Sequence, residues 1–232
     1  MKFSALIFDV DGTLSETEEL HRRVFNEAFA ARGLDWHWTR EDHRELLQTT
    51  GGKKRIAAFL SRRGEDPAAH DIASLHRDKT DRYTALMSGG EIALRDGVAA
   101  LISDARAAGL KIAIATTTSR PNIDALIRAT LGSEESELFD AIAAGDEVAA
   151  KKPAPDVYLL ALDRLGVQAD RAVALEDWLN GLASAQAAGI ACIVSPATYT
   201  QGDAFPADTP LVGSFADLGG IAGIAERLGV SA

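Results

Sequence analysis

Two carboxylates, Asp9 and Asp11, stand where an apolar run, Ala5-Leu6-Ile7-Phe8, gives way to Gly12-Thr13. A short apolar run of this kind reads as a buried strand of a parallel sheet. Alternation along a strand sends Asp9 and Asp11 to one side and Val10 to the other. Like charges then converge at the strand's C-terminal end, the edge where ligands sit in open α/β sheets. Carboxylates held this close raise each other's pKa or take a cation between them, and a hard divalent ion with oxygen ligands, most simply Mg²⁺, satisfies the pair. Gly12 permits a sharp turn, and Thr13 offers a hydroxyl and an N–H to an anion.

Three later stretches place comparable groups at strand ends. Ile112-Ala113-Ile114-Ala115 runs into Thr116-Thr117-Thr118-Ser119, whose hydroxyls and amides either hold a phosphate oxygen or simply favour a turn. Lys151-Lys152-Pro153 precedes a helix starting near Asp156, and the proline ends regular structure just after Lys152. Ala172-Val173-Ala174-Leu175 leads into a second acidic pair, Glu176-Asp177. Two acidic pairs, a hydroxyl cluster and a lysine form one candidate rim for a metal and a phosphate.

Such a rim needs a parallel sheet to position it. Further strands are expected at 141–143 and 191–194, with amphipathic helices between, so the fold class is α/β with a parallel sheet. A helical insert occupies about residues 16 to 90. Its first helix carries Leu20, Val24, Phe25, Ala28 and Phe29 at helical spacing, with Glu18 and His21 in register. Thr39 and Asp42 have capping-box spacing and open a short helix through Leu47. Next comes Thr49-Thr50-Gly51-Gly52-Lys53-Lys54-Arg55 before Ile56, Phe59 and Leu60. Cations in a helix's first turn oppose its dipole unless an anion sits there, so this stretch is a candidate anion site. Asp66-Pro67 gives an N-cap and a proline at N1 for a helix through about Met87. Its stripe is Ile72, Leu75, Tyr83 and Leu86, with Lys79 inside it either snorkelling or facing a cleft.

Composition bounds the function. A formal net charge of −10 and a pI near 5.0 argue against a nucleic-acid or anionic-membrane partner, which would need a dominant basic patch. Any phosphate site is therefore a local cluster of cations in an acidic protein. The single cysteine, Cys192, lies in an apolar run and reads as a core thiol. No run of 18 apolar residues occurs, and the expected location is the cytoplasm.

The four stations, in this order, resemble the haloacid dehalogenase superfamily of aspartate-nucleophile phosphatases over essentially the whole chain. The resemblance implies a Rossmann-like core from residues 1–15 and 91–232 and an inserted helical C1-type cap from 16–90, as in β-phosphoglucomutase and phosphoglycolate phosphatase. It implies Asp9 as nucleophile, Asp11 as general acid/base, and Thr116 and Lys152 as holders of the phosphoryl group. It also implies a Mg²⁺ site made by Asp9, Asp11 and Asp177 with Glu176 in support. Glu18-Glu19-Leu20-His21-Arg22-Arg23, Thr49-Thr50-Gly51-Gly52-Lys53 and Ala150-Lys151-Lys152-Pro153 are similar to the CbbY proteins encoded with carbon-fixation genes. That similarity implies removal of the C1 phosphate of xylulose-1,5-bisphosphate, an inhibitor of Rubisco in the Calvin cycle, by a monomer. The substrate-binding candidates are then Glu18, His21, Thr50, Gly51, Gly52, Lys53, Lys79, Thr117 and Asn122. A related phosphomutase would use the same core residues, a phosphoglycolate-type phosphatase is a further alternative, and a sugar-phosphate sensor would bind without turnover. Trp178 departs from the family pattern, which usually has a small residue after the second acidic pair.

Overall fold

A computed structural model of the chain describes residues 3–90, 92–132 and 138–229. The chain divides into two compact units, Met1–Glu16 with Ile92–Ala232, and Thr17–Glu91.

The first unit is built on five parallel strands, β1 (Ala5–Phe8), β2 (Lys111–Ala115), β3 (Ala141–Ala143), β4 (Ala172–Glu176) and β5 (Ala191–Val194). Their spatial order is β3-β2-β1-β4-β5, so β1 is central and the sequence order reverses beside it. Ligands collect at such a reversal because the connections on either side leave in opposite directions. Apart from the first residues of β2 and β5, every strand position is buried, as expected where both faces are covered. The register pairs Phe8 with Ile114 on one side and Leu175 on the other, which sets Asp9 level with Ala115 and Glu176. The Asp9 amide continues the ladder, donating to the Leu175 carbonyl at 3.1 Å.

In the second unit, α1 (Glu18–Ala31), α2 (Arg40–Leu47), α3 (Gly52–Arg62) and α4 (Ile72–Ser88) surround an aromatic core. Phe25, Phe29, Trp36, Trp38, Leu46, Ile56, Leu60 and Leu75 form it. The capping box at Thr39 is present, with the Asp42 amide donating to Thr39 Oγ1 at 3.1 Å. Back in the sheet unit the described helices are α5 (Val98–Ala107), α6 (Arg120–Leu131), α7 (Asp156–Leu165), α8 (Leu179–Ala187) and α9 (Ile221–Leu228). Tyr158, Ala161 and Leu162 of α7 and Leu182 and Ala185 of α8 pack on the sheet face carrying Ala5, Ile7, Ala172 and Ala174.

Three local expectations are corrected. Asp66 does cap and Pro67 does open a turn, but only a 3-10 turn, Pro67–Ala69. His70 is extended, and α4 has its own cap, Asp71, whose side chain accepts from the Ser74 amide at 2.9 Å. An equally good capping residue five positions later starts the longer helix. The buried stripe of α4 ends on Met87 and not on Leu86, because Leu75, Lys79, Tyr83 and Met87 keep one four-residue spacing. Strand β1 stops at Phe8, so alternation does not govern Asp11, which lies in a turn bridged to Ser15.

Candidate active site

Asp9 continues the face set by Ala5 and Ile7, and Glu176 continues that of Ala172 and Ala174, so both arrive on the side covered by α7. The carboxyls of Asp9, Glu176 and Asp177 are all buried, and one oxygen from each lies within 4.8 Å of the others. Lys152 enters between them. Its Nζ donates to Asp9 Oδ1 at 2.7 Å, to Glu176 Oε1 at 2.6 Å and to the Ala115 carbonyl at 2.8 Å. Lys152 precedes a cis peptide bond to Pro153. Tyr158 of α7, which no motif in the sequence singles out, donates its hydroxyl to the same Glu176 oxygen at 2.6 Å.

The electrostatics follow from three buried carboxyls facing one ammonium. Burial, with Lys152 opposing it and Glu176 adding to it, raises the Asp9 carboxyl to about 8. Burial disfavours the Lys152 charge, yet Asp9 and Glu176 outweigh it and hold the ammonium above its ordinary range. Burial also keeps the Cys192 thiol and the Tyr158 phenol protonated, so neither is a nucleophile here. A site with this surplus of buried negative oxygen fits a hard divalent cation, which would relieve what Lys152 alone does not.

Asp11 is half-buried and is not part of the three-carboxylate group. It belongs to the turn closed by Gly12, whose φ of +88° only glycine adopts without strain. A methyl group on Gly12 would stand 2.2 Å from Asp177 Oδ2, so the turn is packed directly on that carboxylate. Thr200 Oγ1 fixes Asp177, lying 2.8 Å from its carbonyl and 3.3 Å from Oδ2. Thr13 Oγ1 and Ser15 Oγ are buried and meet no hydrogen-bond partner among the described residues. Thr116 follows β2, is buried, and accepts from the Thr118 amide at 3.3 Å. Thr117 is half-buried beside it, and Asn122 lies in the first turn of α6 with Oδ1 buried and unmatched. Trp178 is half-buried at the junction of β4 and α8, its carbonyl accepting from the Leu182 amide.

In the helical unit, the structure brings two of the other candidates, His21 and Lys79, together. Lys79 does not snorkel: it is 4% exposed, with Nζ 2.6 Å from His21 Nδ1 and over the rings of Tyr83 and Phe25. An ammonium has only donors, so His21 Nδ1 accepts and the ring proton sits on Nε2. His21 also stacks on Tyr83 at 4.1 Å. Glu18 Oε2 lies 2.9 Å from His43 Nε2 and 3.6 Å from Arg55. Burial pushes the Glu18 carboxyl up, but Arg55 and the bond from His43 outweigh it and hold it well below the usual range. His43 had no sequence signal; Arg55 was visible only as part of a basic run. Gly51 caps α3, and a side chain on Gly52 would strike His76. Thr50 is half-buried, and Lys53 is exposed in the first turn.

Known proteins resemble this chain in sequence and in fold. The haloacid dehalogenase-like hydrolase family model matches residues 3–189. Protein CbbY of Cereibacter sphaeroides is 60% identical over 95% of this chain and 96% of its own length. A plasmid-borne CbbY of Cupriavidus necator is 46% identical over 87% of this chain and 81% of its own. A crystal structure of a CbbY mutant from Rhodobacter sphaeroides in complex with xylulose-1,5-bisphosphate has a TM-score of 0.91. It is 60% identical and covers 95% of this chain and 98% of that one. With the fold, the acidic cluster and the sequence all in agreement, this chain belongs to the haloacid dehalogenase-like hydrolase family.

Proposed function

We propose that the protein is a Mg²⁺-dependent sugar-phosphate phosphatase that removes the C1 phosphate of xylulose-1,5-bisphosphate, leaving xylulose 5-phosphate. The observation that carries this reading is the Lys152 ammonium bonded to Asp9 and Glu176, with Asp177 completing the carboxylate group. The bisphosphate is taken from the CbbY crystal complex, whose protein is 60% identical to this chain.

In this reading Asp9 attacks phosphorus and becomes an aspartyl-phosphate, which water then hydrolyses, so that one difficult displacement becomes two easier ones. Asp11 gives a proton to the leaving sugar oxygen and later takes one from water. Lys152 and the Thr116 and Thr117 groups hold the equatorial oxygens, since phosphoryl transfer depends on position and charge stabilisation. Asp9, Asp177, Asp11 and Glu176 are the residues available to a Mg²⁺ ion, which when bound would supply further positive charge to the transferring group. Lys53 and Lys79, with Thr50, Gly51 and Gly52, take the distal phosphate; Glu18 and His21 take sugar hydroxyls, and Asn122 is a further substrate-binding residue. The protein acts as a monomer.

The test is phosphate release with product analysis on xylulose-1,5-bisphosphate. Asp9→Asn should keep its fold and lose kcat by several orders of magnitude. Free phosphate from wild type supports the hydrolase, whereas an isomerised monophosphate would mean a mutase and tight binding with neither product a sensor. Release by Asp9→Asn at the wild-type rate would remove the mechanism.

A further inference from the structure

Arg95 lies where the chain re-enters the sheet unit, next to Leu94, which bridges Ser15. Its side chain is 11% exposed, and its guanidinium faces mostly neutral acceptors. Nη1 donates to the Gly12 carbonyl and to the Ser195 carbonyl at 2.8 Å. Nη2 donates to Ser195 Oγ at 2.9 Å and to the Pro196 carbonyl at 3.1 Å. Glu16 lies 3.6 Å from Nε, and both its oxygens accept from the Thr198 amide at 3.2 Å. The Arg95 amide donates to the Leu14 carbonyl at 2.8 Å.

One side chain thus ties the turn after β1 to the loop after β5. Gly12 sits between Asp11 and Thr13, while the second loop carries Ala197, 3.1 Å from where a Gly12 methyl would be, and Thr200, the partner of Asp177. If the fork let go, the Asp11 turn and the Asp177 carboxylate would lose their common reference. Most of the fork's acceptors are carbonyls, so its chief contribution is geometry. A planar fork can serve two loops at once, which a single ammonium on a flexible stem does not.

We infer that Arg95 is a positioning residue for phosphoryl transfer: it holds the Asp11-Gly12 turn in register with the Asp177 loop. The inference rests on the phosphatase reading above. The experiment compares wild type, Arg95→Lys, Arg95→Ala and Ser195→Ala with p-nitrophenyl phosphate and Mg²⁺, alongside near-UV circular dichroism and thermal unfolding. Arg95→Lys should lose kcat on the order of 100-fold, the cost of misplacing reacting groups by about 1 Å, with KM within about twofold. Added guanidinium ion should restore kcat in Arg95→Ala and leave wild type unchanged. Ser195→Ala, which removes one acceptor, should lose roughly threefold in kcat at unchanged KM. A merely structural arginine would lower the melting temperature and leave the kcat of the folded fraction alone. That outcome in Arg95→Lys overturns the inference, as does an unchanged Ser195→Ala if neither Arg95 variant folds. A wild type with no turnover overturns the phosphatase reading together with this one, whereas turnover intact in both wild type and folded Arg95→Lys overturns this one alone.

Discussion

Lys152 sits between two carboxylates, and its removal tests how far the site depends on that one cation. In Lys152→Met, Asp9 and Glu176 keep their burial and lose the ammonium they share. Leaving a buried charge without its partner costs about 3–5 kcal/mol, so urea denaturation of metal-free Lys152→Met should show a loss of that size. Mg²⁺ should recover part of it if the three carboxyls hold the ion; equal stability of variant and wild type would show that the cluster is already neutralised by protons. Gly12→Ala meets two penalties in one residue, a positive φ and a methyl group 2.2 Å from Asp177 Oδ2. We expect loss of turnover together with a lowered melting temperature, whereas an active Gly12→Ala protein would mean that the turn has room to move. These positions explain what sequence could and did not reveal at this scale. Asp9, Glu176 and Lys152 are legible because strand ends and charge are legible. Tyr158 looks like any aromatic on an amphipathic helix, and only the fold brings its hydroxyl to Glu176.

Helices α1, α3 and α4 carry the second set of candidates, and His76 on α4 is one group through which pH acts on them. Burial, with Lys79, Lys53, His21 and Arg55 around it, depresses the His76 imidazole from 6.5 to about 4. As pH falls below 6.5 the unfolded chain takes up a proton that the folded chain refuses until about 4. The contribution is therefore present above pH 6.5 and drains away between 6.5 and about 4. Glu18, held low, acts in the same direction further down, since its contribution is lost as pH falls through its depressed value. Urea midpoints taken from pH 7 to 5 should fall in wild type and fall less steeply in His76→Gln; parallel slopes would remove His76 as the cause. The basic start of α3 was legible from Gly51, Gly52 and Lys53 alone. The break at His70 was not, because Asp66 and Asp71 are both good caps and neighbouring sequence does not rank them.

For the whole molecule the open quantity is substrate size and charge. In the proposed reading the second phosphate of a bisphosphate is bound away from the reacting one, and remote binding of that kind raises kcat as well as affinity. Xylulose-1,5-bisphosphate should exceed pentulose monophosphates in kcat/KM, and Lys53→Ala should lose that margin while p-nitrophenyl phosphate is turned over as before. Equal kcat/KM for the two classes in wild type would remove the distal site and favour a broad phosphatase. The sequence by itself determined the strands, since all five are short apolar runs, and the helical character of residues 16–90, since its apolar residues recur at three and four. It also determined the family, because four spaced stations are a pattern that local residue types display. Tertiary structure alone decided which distant groups meet. Glu176 with Tyr158, Glu18 with His43, and Arg95 with Gly12 and Ser195 are pairings across 18, 25, 83 and 100 residues. Contacts so distant along the chain leave no periodicity behind, because they depend on strand order and helix packing and not on the neighbours of either residue.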